Sequence, residues 1–233
     1  DTISLIPIVS TNYAGGVVIG GRYIYSIPFN STEILKLDTA TDAVSTFGSL
    51  PGTVKWIGGA VVGDRYIYGI PFNSTEILKI DTLTDTASTF GSLAGTTKWA
   101  GGVVVGDRYV YGIPRDSSTI LKIDTATDTI TTFGNVGSDS GKWSAGGIIG
   151  GRYIYGIPSN SDKILKIDTL NDTASTFGNL GTNIAKWAGG FVVGDRYIYG
   201  IPYISTEVLK IDTLTDAVST FGSLSGTFKW INL

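Results

Sequence analysis

The sequence predicts an all-β protein, a single-domain, five-bladed β-propeller of four-stranded antiparallel blades. Three observations carry that expectation. The pair Ile-Pro recurs at Ile27-Pro28, Ile70-Pro71, Ile113-Pro114, Ile157-Pro158 and Ile201-Pro202, a spacing of 43 or 44 residues, and self-similarity at such a period marks a repeat architecture. Each unit contains four short runs rich in β-branched and aromatic residues, separated by turn residues. No stretch sustains a 3.6-residue period, so no helix is expected. Units of this kind cannot bury their faces alone, so five of them stack into one body. The repeats fall at about 15–57, 58–100, 101–144, 145–188 and 189–233, after an N-terminal edge or closing segment at 1–14.

The second unit shows how each strand is specified. Gly59 to Val62 starts small and becomes β-branched, as a first strand can. Gly63-Asp64 is the kind of pair that joins hairpin strands. Arg65 to Ile70 alternates, with Tyr66 and Tyr68 on one face and Ile67 on the other. Pro71 has no amide hydrogen for a ladder and ends the strand. A polar loop, Phe72-Asn73-Ser74-Thr75, leads to a third strand at Glu76 to Ile80. Its Ile77 and Leu78 point to opposite faces and are both apolar, as a blade packed on both sides requires. Asp81 to Asp85 is a turn rich in side chains that satisfy local backbone donors. Thr86 to Phe90, rich in Thr and Ser, fits an outer edge strand, and Gly91 to Lys98 crosses to the next unit. Glycine pairs at Gly15-Gly16, Gly58-Gly59, Gly101-Gly102, Gly146-Gly147 and Gly189-Gly190 are expected where first strands crowd the central axis.

Composition narrows function. The net charge of −3 comes with cations spread one per repeat column, so the basic patch of a nucleic-acid binder is missing. The apolar runs are too short to span a membrane, and no membrane insertion is expected. There is no Cys, His or Met. An initiator Met is normally kept before a residue as large as Asp, so a chain beginning at Asp1 is expected to be processed, and secretion to an extracellular place follows as an expectation. Sequons at Asn30, Asn73 and Asn171 fit that location.

The run Ala60-Val61-Val62-Gly63-Asp64-Arg65-Tyr66-Ile67-Tyr68, followed by Leu78-Lys79-Ile80-Asp81 and a Thr-rich turn, resembles kelch-type repeats. It has Ile-Pro where that family has a glycine pair after the second strand. The resemblance implies a propeller. Five blades also resemble the five-bladed lectin propellers in blade number.

In a four-stranded meander the connections alternate between two faces. The loop after each Pro and the crossover before each Trp share one face. Aromatic planes beside amides and hydroxyls suit a sugar surface, so Phe29, Phe72, Trp56, Trp99, Trp143 and Trp187, with Asn30, Asn73, Asp116 and Asn160, are the candidate ligand-binding residues. The expected partners are glycans or glycoconjugates, bound at five near-equivalent sites whose avidity multiplies a weak affinity. The competing reading of the tryptophans is that they wedge blades together. Arg22, Arg65, Arg108, Arg152 and Arg196 are expected to pair with acidic turn residues or stack on Tyr. The Asp-Thr-x-Thr-Asp turns are read as capped turns rather than calcium loops, so no metal and no cofactor is expected.

Without His or Cys, triads, thiol nucleophiles and zinc sites are excluded, and the acids repeat in columns rather than converging. The expectation is no catalytic role. The alternative function is a structural or adhesive building block of a surface layer or filament. Asp1 to Ile6 reads as a surplus fourth strand, expected to add to the last blade or to pair with another molecule.

Overall fold

A computed structural model describes residues 12–226 and Lys229. Among these the chain forms twenty strands and no helix. The expectations for Asp1 to Ile6 as a closing or pairing strand lie outside the described residues.

Blade 1 comprises β1 (Tyr13–Ile19), β2 (Tyr23–Pro28), β3 (Ile34–Asp38) and β4 (Ala43–Phe47). Blade 2 comprises β5 (Trp56–Val62), β6 (Tyr66–Pro71), β7 (Ile77–Asp81) and β8 (Thr86–Phe90). Blade 3 is β9 (Trp99–Val105), β10 (Tyr109–Pro114), β11 (Ile120–Asp124) and β12 (Thr129–Phe133). Blade 4 is β13 (Trp143–Ile149), β14 (Tyr153–Pro158), β15 (Ile164–Asp168) and β16 (Thr173–Phe177). Blade 5 is β17 (Trp187–Val193), β18 (Tyr197–Pro202), β19 (Val208–Asp212) and β20 (Ala217–Phe221). Each blade is an antiparallel meander in sequence order, and the whole is a five-bladed β-propeller. The first strands begin at Trp or Tyr, earlier than the glycine start expected, because Trp56 still pairs with Pro71 across a bulge.

Local chemistry explains the turns. Gly63 and Asp64 both have positive φ, 58° and 51°, the signature of a type I′ hairpin turn. The Arg65 amide closes it by donating to the Val62 carbonyl at 3.3 Å. Across the outer turns Arg65 binds Asp81 through two nitrogens, at 3.0 and 2.6 Å, while its guanidinium stacks on Tyr66. The other four column arginines do the same with Asp38, Asp124, Asp168 and Asp212. The hydrogen bond from Arg152 holds Asp168 down at a pKa of about 2.

The glycine pairs do two different jobs. Gly58 and Gly101 adopt φ of 72° and 75° at the bulge, and a Cβ on Gly58 would stand 3.1 Å from the Gly101 backbone, so the first strands of adjacent blades do crowd one another. The second glycine instead makes room for the preceding blade: a Cβ on Gly102 would meet Ile70 at 2.8 Å. In blade 4 the expected column is displaced. Gly146 pairs with Gly156 as Gly102 pairs with Gly112, so Ala145 takes the place of Gly101 and Gly147 that of Val103.

Four interfaces repeat one design. Ile77 packs into the core shared with blade 3 and Leu78 into the core shared with blade 1. Tyr68, fully buried, donates its hydroxyl to Asp128 of the next blade at 2.9 Å, and Lys79 donates to the same carboxylate at 2.6 Å. The sets Tyr25-Lys36-Asp85, Tyr111-Lys122-Asp172 and Tyr155-Lys166-Asp216 repeat this. Burial, and then the facing carboxylate, push the Tyr68 hydroxyl above its ordinary pKa. No comparable interface joins blade 5 to blade 1 among the described residues.

Candidate functional site

The face that carries the loops after proline is built by backbone clamps. Phe72 N–H donates to the Lys55 carbonyl at 2.8 Å and Asn73 N–H to the Val54 carbonyl at 3.2 Å. The Asn73 side-chain carbonyl accepts from the Thr97 amide at 2.7 Å. Thr97 has φ of 54° and Val54 55°, a left-handed backbone that β-branched residues rarely adopt. The Asn oxygen is what holds it, and Asn30 does the same for Val54 at 2.8 Å. Asp116 accepts from Gly141 at 2.7 Å and Asn160 from Ala185 at 2.8 Å. The four candidates Asn30, Asn73, Asp116 and Asn160 therefore have their side-chain oxygens committed to the fold. Asn73→Ala is not a clean probe of ligand binding, because it releases a strained crossover.

Under the loops sit buried lysines. Lys98 donates to the carbonyls of Ser74 and Gly95, each at 2.8 Å, and of Phe72 at 3.3 Å. Burial lowers its pKa from 10.5 to about 8, and burial lowers Lys55, Lys142 and Lys186 in the same direction. The folded protein thus releases the Lys98 proton before the unfolded chain does. Its charging cost is complete below about pH 8 and is relieved as pH rises from there toward 10.5. The raised Tyr68 and Tyr111 hydroxyls act in the opposite sense near the top of that range. We expect the urea midpoint of the native chain to gain on that of Lys98→Met between about pH 8 and pH 10. Parallel pH profiles for the two chains would show that Lys98 keeps an ordinary pKa.

The tryptophans are not platforms. Trp56, Trp99, Trp143 and Trp187 are 1–3% exposed, and each indole N–H donates to a carbonyl ahead of its own blade's third strand, at 2.8–3.0 Å. The expectation that they stack on a ligand is corrected: these large aromatics, at the roots of blades 2 to 5, fill the core.

What remains on this face is the residue directly after each proline. Phe29 and Phe72 are half-buried, with ring centroids 6.2 Å apart and planes tilted by 51°. Arg115 follows, its guanidinium 5.7 Å from the Phe72 centroid; Ser159 and Tyr203 continue the series. Arg115 Nε is buried and has no hydrogen-bond partner among the described residues. It forms no ion pair there, whereas each column arginine holds an aspartate. Its neighbour Asp116 is occupied by Gly141 N–H and by the Ser140 hydroxyl at 3.0 Å. Five near-equivalent sites are therefore not what this face offers: blades 1 to 3 present two aromatic rings and an uncommitted cation, and blade 4 a serine.

A cleft of about 370 Å³ with a mixed polar and apolar lining opens beside this strip, between Ser49–Thr53 and Asn73–Glu76. Glu76 lies in it and accepts from the Thr89 hydroxyl at 3.0 Å. Of the sequons, Asn171 is exposed on the opposite face, its amide on Asp168 at 3.2 Å; Asn30 and Asn73 are half-buried. Arg115 was legible as the odd member of its column, but the pairing of every other arginine was needed to make it stand out.

The family described as "Repeat of unknown function (DUF6923)" matches residues 94–229. No curated protein matches the sequence. Among solved structures, virginiamycin B lyase from Staphylococcus aureus superposes with a TM-score of 0.76 at 12% identity, over 91% of this chain and 70% of that one. A streptogramin B lyase structure gives 0.72 at 13%, over 93% and 72%. Hydrazine synthase from Kuenenia stuttgartiensis gives 0.69 at 16%, over 95% and 70%. These likenesses show the propeller fold. The kelch resemblance extends no further than that blade architecture. The expectation of no catalytic role is corrected: the fold that superposes here also serves a lyase, so this architecture does not exclude catalysis.

Proposed function

The chain belongs to the DUF6923 repeat family, and from that premise and the geometry above we propose that it is a binding module for an acidic carbohydrate outside the cell. The ligand lies across the loop face at blades 1 to 3. Phe29 and Phe72 stack on the apolar face of a sugar ring, and Arg115 takes a carboxylate or sulfate on it through a fork of donors. The hydroxyls and Glu76 of the adjoining cleft reach neighbouring sugar hydroxyls. The observation that carries this reading is that Arg115 is the arginine with no carboxylate among the described residues, beside the half-buried aromatic pair. Among the described residues no helix is long and apolar enough to cross a membrane.

The test is a glycan array of neutral and acidic sugars followed by calorimetry on any hit. Arg115→Ala and Phe72→Ala are each expected to weaken an acidic ligand about tenfold, with little effect on melting. Equal binding by the variants, or neutral sugars bound as well as acidic ones, would sink the proposal.

A second reading is a building block that assembles with copies of itself. The exposed apolar side chains Val18 and Val44 of blade 1 and Phe191 and Val193 of blade 5 favour it, since among the described residues they meet no neighbouring blade.

A further inference from the structure

Each blade ends in an outer strand that pairs on one side only: β4, β8, β12, β16 and β20. The other side is a row of unpaired amides and carbonyls, a template for another chain that folds commonly blunt with charge. Four blades set a charge at one position, just before the third strand: Glu33, Glu76, Lys163 and Glu207. Glu76 accepts from the edge-strand hydroxyl of Thr89 at 3.0 Å, and Glu207 from that of Thr220 at 2.9 Å. Blade 3 has Thr119 there, and its hydroxyl meets Ser117 rather than the edge strand.

The β12 edge is therefore the one without that charge. Thr132 stands opposite Leu121 as Thr89 stands opposite Leu78, and its hydroxyl has no partner among the described residues. Four of the five residues of β12 are β-branched, against two in each of the other outer strands, so this edge is also the one best suited to pairing. Along it runs a groove of about 470 Å³, between β12 and residues 90–93 where the chain leaves blade 2. Phe90, Leu93 and Ile130 give the groove an apolar recess, and Thr132 a hydroxyl wall. Its carboxylate, Asp128, is already held by Tyr68 and Lys79. Blade 3 shares cores with blade 2 and with blade 4, so it is flanked on both sides.

We propose that β12 is a docking edge for an extended, uncharged peptide segment of another protein, which adds to blade 3 as a fifth strand. A row of unpaired amides and carbonyls recognises another backbone, and the recess beside it selects the alternate side chains of that backbone. An apolar side chain of the segment sits against Phe90, Leu93 and Ile130, and a hydroxyl or amide meets Thr132. The groove has no free charge to offer, so it favours a segment without charge. A second copy is the poorer occupant, since four of its five edges carry the charges that keep strands apart. Five residues of strand span about 17 Å, room for a short linear segment. The site lies on the outer rim and is independent of the acidic-carbohydrate reading of the loop face.

The probe is a set of capped, fluorescent peptides of about nine residues that alternate Thr with Ala, Val, Ile or Phe. They are N-methylated along one edge, so that they pair through the other and not with themselves. Titrated against the full chain, at least one is expected to bind one to one and to slow hydrogen exchange at the amides of β12. Thr119→Glu gives blade 3 the charge of blade 2, and Thr132→Lys sets a charge in the groove. Each is expected to weaken binding about tenfold or more with melting unchanged. Peptides methylated along both edges are expected not to bind. No binding by any peptide, equal binding by both variants or by the doubly methylated peptides, or exchange slowed elsewhere instead overturns the proposal. Sedimentation is the check on self-pairing: association of the chain alone that Thr119→Glu abolishes would make the occupant a second copy. An acidic sugar that protects the same amides would make the groove part of a carbohydrate site. Either result overturns the proposal as well.

Discussion

Gly102→Val is expected to destabilise the protein by about 3 kcal/mol, seen as a lower urea midpoint and melting temperature. The new Cβ alone would stand 2.8 Å from Ile70 Cδ1, 2.9 Å from its Cγ1 and 3.3 Å from Ala60. Ile70 is fully buried between blades 2 and 3, so it has no free rotamer to retreat into. Backbone strain plays no part, because Gly102 is not in the left-handed region. The same substitution at Gly16 isolates the cause. There the nearest atoms are the Tyr25 carbonyl at 3.3 Å and Ile24 Cγ2 at 3.7 Å, so the cost falls to about 1 kcal/mol or less. Equal melting of the two variants would mean that the second glycine does not serve blade-to-blade packing.

Trp143→Ala is expected to cost more, about 3–5 kcal/mol. The indole is 1% exposed and fills the root of blade 4 within the core shared with blade 3, beside Tyr111, Ile113 and Leu165. Its N–H donates to the Lys163 carbonyl at 2.9 Å, which pins the start of β15. Trp143→Phe keeps much of the volume and leaves that carbonyl without its donor, a loss of about 1–3 kcal/mol. A glycan hit from the array separates packing from recognition. If Trp143→Ala abolished binding while melting stayed near the native value, the tryptophan would return to the site.

The strands were legible because their determinants are local. Tyr-Ile-Tyr alternation, Pro71 and the Gly63-Asp64 pair act within a few residues of chain, and the arginine column found its aspartates sixteen residues away within one blade. The candidate site was much less legible. Asn73 looked like a free amide because the amide it serves, on Thr97, belongs to the next crossover. Trp99 looked like a platform because a sequence shows an aromatic residue near a loop but not the buried root of a blade beneath it. Arg115 could be singled out only after every other arginine had been paired.

By itself the sequence determined the number of blades, the four strands of each and the faces their side chains share, since each follows from pleat, turn chemistry and the absence of a donor at proline. Only the tertiary structure decided which columns are consumed in holding the blades together and which are left over. Among the described residues it alone shows that no interface like the other four joins blade 5 to blade 1. The physical reason is distance along the chain: the Tyr68–Asp128 bond joins residues 60 apart in different blades, so no single repeat encodes it.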